Sequence, residues 1–218
     1  MAARTAALAG ATGLVGRAVL NRLLDDDRYR AVHAAGRRSP EIRHPKLVFS
    51  PTATFERLEF PALDDVFIAL GTTIAAAGSP QAFRAIDRDA VVRFAEAART
   101  AGATRIGVVS AMGADRASRV FYSRVKGEME AAISELDFET VVFVRPALLA
   151  GDRDALEQRH RPAEKAILFA ARWLKPLFPA NYRAIDADAV AAGLIDGLHT
   201  MGPGRHVLLS GALQKPKK

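Results

Sequence analysis

Three residues in the middle of the chain have the types and spacing that proton transfer to a carbonyl oxygen requires. Tyr122 and Lys126 are four residues apart, so on a helix they lie on one face, one turn apart. A free tyrosine has a pKa of about 10, and a neighbouring ammonium group lowers that pKa by favouring the phenolate. Ser110 follows an apolar run typical of a buried strand, so its hydroxyl would lie at the carboxyl end of a sheet, where open α/β sheets bind ligands. The set predicts carbonyl chemistry in which Ser110 holds the substrate oxygen, Tyr122 donates or accepts its proton, and Lys126 tunes Tyr122 and binds the cofactor ribose.

A glycine-rich loop lies between the first predicted strand and the first predicted helix. Gly10 would allow a tight turn, Gly13 a close approach of the backbone to a diphosphate, and Gly16 close packing of the helix on the sheet. The helix N-terminus would then offer unpaired N–H groups and a positive dipole end to the phosphates. The loop predicts a dinucleotide site, and a tight turn without a ligand is the alternative. The loop also favours the catalytic interpretation of Tyr122 and Lys126 over a surface tyrosine beside a lysine.

The end of the second predicted strand indicates which dinucleotide would bind. An Asp or Glu at this place would bind the ribose 2′-hydroxyl of NAD, but the chain has Arg37 and Arg38 and no acid until Glu41. Two guanidinium groups suit a 2′-phosphate, so the pair predicts a preference for NADP(H). A solvated pair of surface arginines is the alternative. Arg17 adds to the same positive field.

A carboxylate falls within the apolar stripe of the longest predicted helix. On a helical wheel Asp87 shares its face with Phe83, Ile86, Ala90, Val91, Phe94 and Ala98. A buried carboxylate is costly unless it is paired or hydrogen-bonded. Asp87 therefore either supports the lysine side of the site or ties down a backbone turn.

The elements that would position these residues alternate between strand and helix. Strands are predicted over residues 5–9, 31–35, 46–49, 66–70, 105–109, 139–144 and 205–209. Helices are predicted over 14–24, 119–136, 162–174 and 187–198, with one long helix between an N-cap at Ser79 and a C-terminal cap at Gly102. This order predicts an α/β fold, a Rossmann-type doubly wound parallel sheet with helices on both faces and a short C-terminal elaboration. We expect a single domain over 1–218, with a substrate-side lid within 151–204.

A family resemblance rests on seven motifs in the first 155 residues. They are LAGATGLVG (8–16), LGTT (70–73), AGS (77–79), DRDA (87–90), SAMGAD (110–115), YSRVKGE (122–128) and RP (145–146). Through them the chain resembles the atypical branch of the short-chain dehydrogenase/reductase superfamily, and within it the Tat-interacting-protein-like NAD(P)-dependent oxidoreductases. The resemblance implies a Rossmann-type fold that binds NADP(H), with the Ser/Tyr/Lys set at the nicotinamide.

The resemblance also implies which residues hold the cofactor. They are Gly10, Thr12, Gly13, Leu14, Val15 and Gly16 around the diphosphate, Leu70, Gly71 and Thr72 beside the adenosine half, and Pro146, Leu148 and Leu149 beside the nicotinamide, with Lys126 on the ribose. Many relatives carry an Asp after the third strand that contacts adenine, but this chain has Ser50 and Pro51 there.

Two functions of different classes follow from these residues. The first is an NADP(H)-dependent oxidoreductase of the carbonyl reductase or dehydrogenase type, acting on a small-molecule carbonyl or hydroxyl substrate. The second is an NADP(H)-binding redox-sensing, regulatory or assembly protein with little or no catalysis, because similar proteins are often discussed as regulators. Superfamily members often pair through helices that correspond to 83–98 and 122–136, so a homodimer or another protein partner is plausible.

Composition excludes several other classes of function. The absence of cysteine excludes a disulfide scaffold, a thiolate metal site and a cysteine nucleophile. The five histidines have no metal-ligand spacing, so we expect no metal; they are His33, His44, His160, His199 and His206. No run approaches the roughly 18 apolar residues of a membrane span. We expect a cytoplasmic protein.

The net charge of +7 raises the question of nucleic-acid binding. The basic residues are scattered among acids, so we expect no specific nucleic-acid site. Lys215, Lys217 and Lys218 are typical of a solvated tail. The basic cluster of Arg153, Arg159 and Arg161 is either a solvated loop or part of a substrate-side lid.

Overall fold

The computed structural model of the 218-residue chain describes residues 3–150 and 184–214. The predicted helix over 162–174 and most of the predicted lid lie outside the described residues. So do Arg153, Arg159, Arg161 and the three lysines of the tail.

Seven parallel strands form the central sheet. In spatial order they are β3 (Leu47–Pro51), β2 (Tyr29–Gly36), β1 (Arg4–Ala9), β4 (Asp65–Ile68), β5 (Arg105–Val109), β6 (Thr140–Arg145) and β9 (Gly204–Leu209). The order reverses between β1 and β4, and doubly wound sheets bind ligands at such a reversal, outside the carboxyl ends of the strands. A second, two-stranded parallel sheet joins β7 (Leu148–Ala150) to β8 (Ala184–Asp186).

Helices cover both faces of the seven-stranded sheet. They are α1 (Leu14–Asp25), α2 (Ile74–Ala77), α3 (Pro80–Arg84), a π-helix (Ala85–Ala90), α4 (Val91–Thr100), α5 (Phe121–Ser134), α6 (Ala187–Thr200) and α7 (Ser210–Leu213). Side chains of β1 alternate between the two faces, with Leu8 in the cluster formed by α1 and α6 and Ala7 in the cluster formed by α4 and α5. The predicted Rossmann-type fold is confirmed.

The predicted single helix between Ser79 and Gly102 is wrong in its interior. Its ends are as expected, since Ser79 Oγ accepts a hydrogen bond from the backbone N–H of Ala82 and Gly102 has a φ of +95°. Between α3 and α4, however, the chain forms a π-helix, whose i→i+5 hydrogen bonds enclose one more residue than an α-turn. The sequence does not indicate this turn, because the apolar stripe continues both before and after the π-helix. The π-helix carries the fully buried Asp87.

A buried charged network joins the amino ends of four strands, β1, β2, β4 and β5. Asp65 accepts two hydrogen bonds from Arg4, at 2.6 and 2.9 Å, and two from Arg105, at 2.8 and 3.1 Å. The Tyr29 hydroxyl also donates to Asp65, and its oxygen lies 2.9 Å from His199 Nε2. Burial acts to raise the pKa of Asp65, but the hydrogen bonds from Arg4, Arg105 and Tyr29 outweigh it and lower that pKa. The network stabilises the edge of the sheet opposite the glycine loop.

Candidate active site

The glycine loop is folded too tightly for side chains at two of its positions. Gly10 has a φ of +85°, in the region that favours glycine, and a Cβ there would overlap the carbonyl oxygen of Ala69 after β4. A Cβ at Gly16 would overlap the carbonyl oxygen of Gly10. The two glycines therefore hold the start of α1 against the ends of β1 and β4.

The start of α1 has the features of a diphosphate site. Gly13 is the N-cap residue and has no side chain to cap the helix. The first backbone N–H groups of α1 therefore have no side-chain acceptor at the cap and can donate to a ligand. Gly13 and Leu14 are exposed at the carboxyl edge of the sheet, Thr12 is half-buried, and Val15 packs in the core. These residues fit a diphosphate because they combine free backbone donors with a surface that has no side chain in the way.

Arg37 and Arg38 are exposed directly after β2, at the same edge of the sheet as the glycine loop. Neither guanidinium has a side-chain partner among residues 3–150 and 184–214. Within the described part of the chain, both are therefore free to bind an anionic group beside β1, the strand that precedes the glycine loop.

Asp87 connects the loop after β4 to Lys126. Its Oδ1 lies 2.7 Å from Lys126 Nζ, and its Oδ2 accepts a hydrogen bond from the backbone N–H of Thr72 at 2.9 Å. The side chains of Asp87 and Lys126 are 1% and 5% exposed. Gly71 lies against the pair, since a Cβ there would be 3.2 Å from Asp87 Oδ1. Asp87 thus contacts both the lysine and the turn after β4.

Tyr122 lies one turn before Lys126 on α5, with its ring against Phe83. The two ring centroids are 5.4 Å apart with an interplanar angle of 34°. Burial raises the pKa of the Tyr122 hydroxyl; the Lys126 ammonium acts to lower it and Asp87 acts to raise it further. The phenol is therefore protonated at neutral pH. The apolar stripe of the sequence predicts Phe83 only as a core residue. Its spacing of four residues from Asp87 is the feature that indicates a position near Tyr122.

Ser110 is buried, and its hydroxyl is directed to a group that the sequence analysis did not identify. Ser110 Oγ donates to Glu130 Oε1 at 2.6 Å. Glu130 is 1% exposed and also accepts hydrogen bonds from Arg145 and Arg205. In the described part of the chain, no hydrogen bond joins Ser110 to Tyr122 or Lys126. The structure thus brings Tyr122, Lys126 and Asp87 together and connects Ser110 to a separate ion network.

The remaining predicted cofactor residues lie at the carboxyl edge of the sheet. Leu70 is half-buried after β4 and packs against the α4–α5 core cluster. The Pro146 carbonyl, after β6, accepts a hydrogen bond from Met112 N at 3.0 Å, which joins the loops that follow β5 and β6. Leu148 and Leu149 are in β7, and Leu149 packs against the α1–α6 cluster.

The described residues lack both a metal site and a membrane-spanning helix. Within them, no group of three or more His, Cys, Asp or Glu side chains could hold a metal ion. No helix among them has the length and apolarity needed to cross a membrane.

Comparisons with known proteins identify relatives of the whole site region. A model of an NAD(P)H-binding family matches residues 10–168. Protein FMP52, mitochondrial, from Coccidioides immitis is 34% identical over 204 residues, which are 86% of this chain and 82% of that protein. Protein HTATIP2 from Rattus norvegicus is 31% identical over 92% of this chain and 83% of its own length.

A solved structure has the same fold. A short-chain dehydrogenase family protein from Francisella tularensis superposes with a TM-score of 0.70 over 97% of this chain and 99% of its own. Its sequence is 16% identical, so the likeness concerns the fold alone.

The names of the fungal relatives bear on cellular location. The proteins from Coccidioides immitis, Emericella nidulans and Aspergillus fumigatus are all named mitochondrial. These names contradict the cytoplasmic location predicted from the sequence, and that prediction is wrong. Composition and the lack of a long apolar run do not distinguish a cytoplasmic from a mitochondrial protein.

Proposed function

The chain belongs to the NAD(P)H-binding family, and we propose that it is an NADP(H)-dependent oxidoreductase that reduces a carbonyl group. The observation that carries the proposal is the buried Asp87–Lys126 ion pair beside the protonated Tyr122. A buried ion pair next to a phenol of raised pKa is typical of a site that transfers protons.

In the proposed function, different residues at the carboxyl edge of the sheet would bind different parts of the cofactor. The backbone of 10–16 would hold the diphosphate, Arg37 and Arg38 the 2′-phosphate, and Lys126 the ribose next to the nicotinamide. Leu70 to Thr72 would contact the adenosine half, and Pro146 with β7 would lie beside the nicotinamide. When bound, the reduced nicotinamide would supply a hydride, which carries two electrons.

Tyr122 would act as the general acid. Its raised pKa keeps the proton on the phenol at neutral pH, which is the form that reduction needs. A carbonyl that receives a hydride at carbon and the Tyr122 proton at oxygen becomes an alcohol, and solvent returns a proton to the phenolate. Lys126 would stabilise that phenolate, and Asp87 would hold Lys126 in place. Because the Ser110 hydroxyl is bonded to Glu130, we assign the proton transfer to Tyr122 and Lys126.

The same bond favours a second candidate function. A site without a serine donor on the substrate oxygen suits a protein that binds NADP(H) and responds to its redox state without fast turnover. In that case a change in the loop after β4 would move Asp87 through its hydrogen bond with Thr72, and α5 would respond through the Asp87–Lys126 ion pair.

Substitution of Tyr122 by Phe separates the two functions. Phe keeps the ring contact with Phe83 but has no proton to donate, so we expect NADPH-dependent carbonyl reduction to fall by about 10²–10⁴-fold. The affinity for NADPH, followed by fluorescence titration, should change less than about twofold, and Ser123→Ala on the same helix should affect neither. Tight NADPH binding without turnover on any carbonyl would favour the regulatory protein, and no binding of NADPH or NADH would contradict both functions.

A further inference from the structure

Glu130 continues the line of functional side chains along α5. Tyr122, Lys126 and Glu130 follow each other at intervals of four residues, so they lie along one face of the helix. Glu130 is as buried as Asp87, yet nothing in the proposed proton transfer uses it. A buried carboxylate at this place therefore needs its own explanation.

The hydrogen bonds of Glu130 account for both of its oxygens. Oε1 accepts from Ser110 Oγ at 2.6 Å and from Arg145 Nε at 2.8 Å. Oε2 accepts from Arg145 Nη2 at 2.6 Å and from Arg205 Nη2 at 2.9 Å. Guanidinium groups can only donate, so the carboxylate acts as an acceptor in all four bonds.

Ser110 has one hydroxyl proton, and this geometry commits it to Glu130. A serine whose proton points at a carboxylate offers only lone pairs to other groups. A carbonyl oxygen is also an acceptor, so it can bond to Ser110 only if the serine leaves Glu130. Hydroxyl–carboxylate hydrogen bonds of this length are among the strong ones, so exchange for a neutral carbonyl oxygen is unfavourable.

We propose that Glu130 is a positioning residue that withholds the Ser110 hydroxyl from the substrate oxygen, and that the enzyme is thereby restricted to activated carbonyls of the vicinal dicarbonyl class. The inference rests on the proposed function. Loss of one donor to a developing oxyanion costs about 10²–10³-fold in rate. A second carbonyl next to the first withdraws electrons from the reacting carbon and compensates for the missing donor. In the proposed reduction, that carbon would take a hydride supplied by the reduced nicotinamide and its oxygen would take the Tyr122 proton. The products would be a hydroxyketone and the oxidised cofactor.

Two substrates that differ by one carbonyl oxygen test this restriction. With NADPH as reductant, we expect kcat/KM for 2,3-butanedione to exceed that for 2-butanone by at least about 100-fold. Substitution Ser110→Ala should change either value by less than about threefold. A loss of 100-fold or more on 2,3-butanedione in Ser110→Ala would overturn the proposal, because Ser110 would then already serve the substrate.

Substitution Glu130→Gln should return the serine proton to the site. Two guanidinium nitrogens, from Arg145 and Arg205, donate to Oε2, so the amide oxygen of Gln would take that side. Its NH₂ would replace Oε1 and face Ser110, and the hydrogen bond from Arg145 Nε would be lost. Ser110 Oγ would then accept a hydrogen bond and its O–H would be free to donate. We expect kcat/KM for 2-butanone to rise at least about tenfold in Glu130→Gln and the gain to vanish in the double variant with Ser110→Ala. Equal values in Glu130→Gln and the double variant would contradict the proposal.

Proton NMR of the cofactor-free protein gives a readout that does not depend on activity. The Ser110 hydroxyl proton should exchange slowly with water, appear downfield, disappear in Ser110→Ala and move upfield in Glu130→Gln. If the hydroxyl exchanges as fast as that of an exposed serine, the positioning role is wrong. If the slow signal is present but no variant reduces either substrate, the proposed function fails while the positioning of Ser110 stands.

Discussion

At the scale of single residues, the two arginines that follow β2 give the sharpest test of cofactor choice. Arg37 and Arg38 are exposed beside the glycine loop and have no side-chain partner in the described ranges. Two guanidinium contacts to a 2′-phosphate are strong charge-assisted hydrogen bonds, and NADH has no such phosphate. We expect Arg37→Ala with Arg38→Ala to weaken NADPH binding about 10–100-fold and to leave NADH binding unchanged, as measured by fluorescence titration. Arg43→Ala, in the same loop, is the control, and an equal loss for both cofactors would argue against the assignment.

Asp87 and Lys126 act on Tyr122 in opposite directions. Burial raises the pKa of Tyr122, and Asp87 raises it further while Lys126 lowers it. Substitution Asp87→Asn removes the negative charge but keeps an oxygen for the N–H of Thr72, so it should lower the Tyr122 pKa. The proposed reduction needs the protonated phenol, so we expect activity below this pKa and a loss of activity as pH rises through it. The alkaline limb of the pH profile of kcat should therefore move to lower pH.

The control for this variant is Asp89→Asn, which removes a partly exposed carboxylate from the same π-helix. It should leave the alkaline limb in place. A shift of equal size in both variants would show that the general loss of negative charge, and not the Asp87–Lys126 pair, sets the Tyr122 pKa.

How far these residues could be predicted depends on how local their partners are. Tyr122 and Lys126 are recognisable because a helix fixes their spacing, and the buried role of Asp87 follows from its place in an apolar stripe. Glu130 was missed because its partners lie 20, 15 and 75 residues away in sequence. Helix spacing does not indicate that β5, β6 and β9 bring Ser110, Arg145 and Arg205 to one carboxylate.

At the scale of elements, the packing of α5 on the preceding loop depends on one glycine. A Cβ at Gly127 would overlap the backbone of Asp115 and Arg116 in the loop that follows β5. We expect Gly127→Ala to lower the free energy of unfolding by about 1–3 kcal/mol, because the backbone must move apart, although Ala favours the helix. Urea denaturation measures the change. Gly202→Ala, where nothing lies within 4 Å of the added Cβ, should change stability by less than about 0.5 kcal/mol. A neutral Gly127→Ala would show that the loop is not packed on α5 in this way.

The π-helix shows which part of an element escapes prediction. Capping residues fixed both ends of the predicted helix correctly at Ser79 and Gly102. The wider turn between them brings Asp87 to Lys126 and Thr72, contacts that involve α5 and the loop after β4. These tertiary contacts offset the energetic cost of the irregular turn. Nothing in the local sequence indicates the contacts, so the turn is not predicted.

At the scale of the whole molecule, the carboxyl and amino ends of the parallel strands carry different groups of polar residues. The candidate active site lies at the carboxyl edge, and the Asp65 network lies at the amino edge, where Asp65 is 0% exposed. Substitution Asp65→Asn leaves Arg4 and Arg105 without their shared carboxylate. We expect it to lower the free energy of unfolding by about 3–5 kcal/mol, as measured by urea denaturation at pH 7. The exposed Asp27→Asn is the control and should be nearly neutral.

The same residue should contribute to acid sensitivity. The pKa of Asp65 is lowered in the folded protein from its ordinary value of 3.8. Its stabilising effect is therefore present above pH 3.8 and is lost as pH falls through the folded value. The difference in stability between the native protein and Asp65→Asn should shrink as pH falls from 7 to 3. A difference that stays constant over this range would contradict the role of the ionised carboxylate.

The amino-edge network also has a consequence for how the chain folds. It joins Arg4 to Asp65 across 61 positions and Tyr29 to His199 across 170. Contacts so distant in sequence require long loops to close, with the loss of chain entropy, before any of them forms. Burial of Tyr29 and Asp65 is therefore complete only when α6 docks. We expect the protein to refold more slowly than a helical bundle of its size, with docking of α6 among the last events.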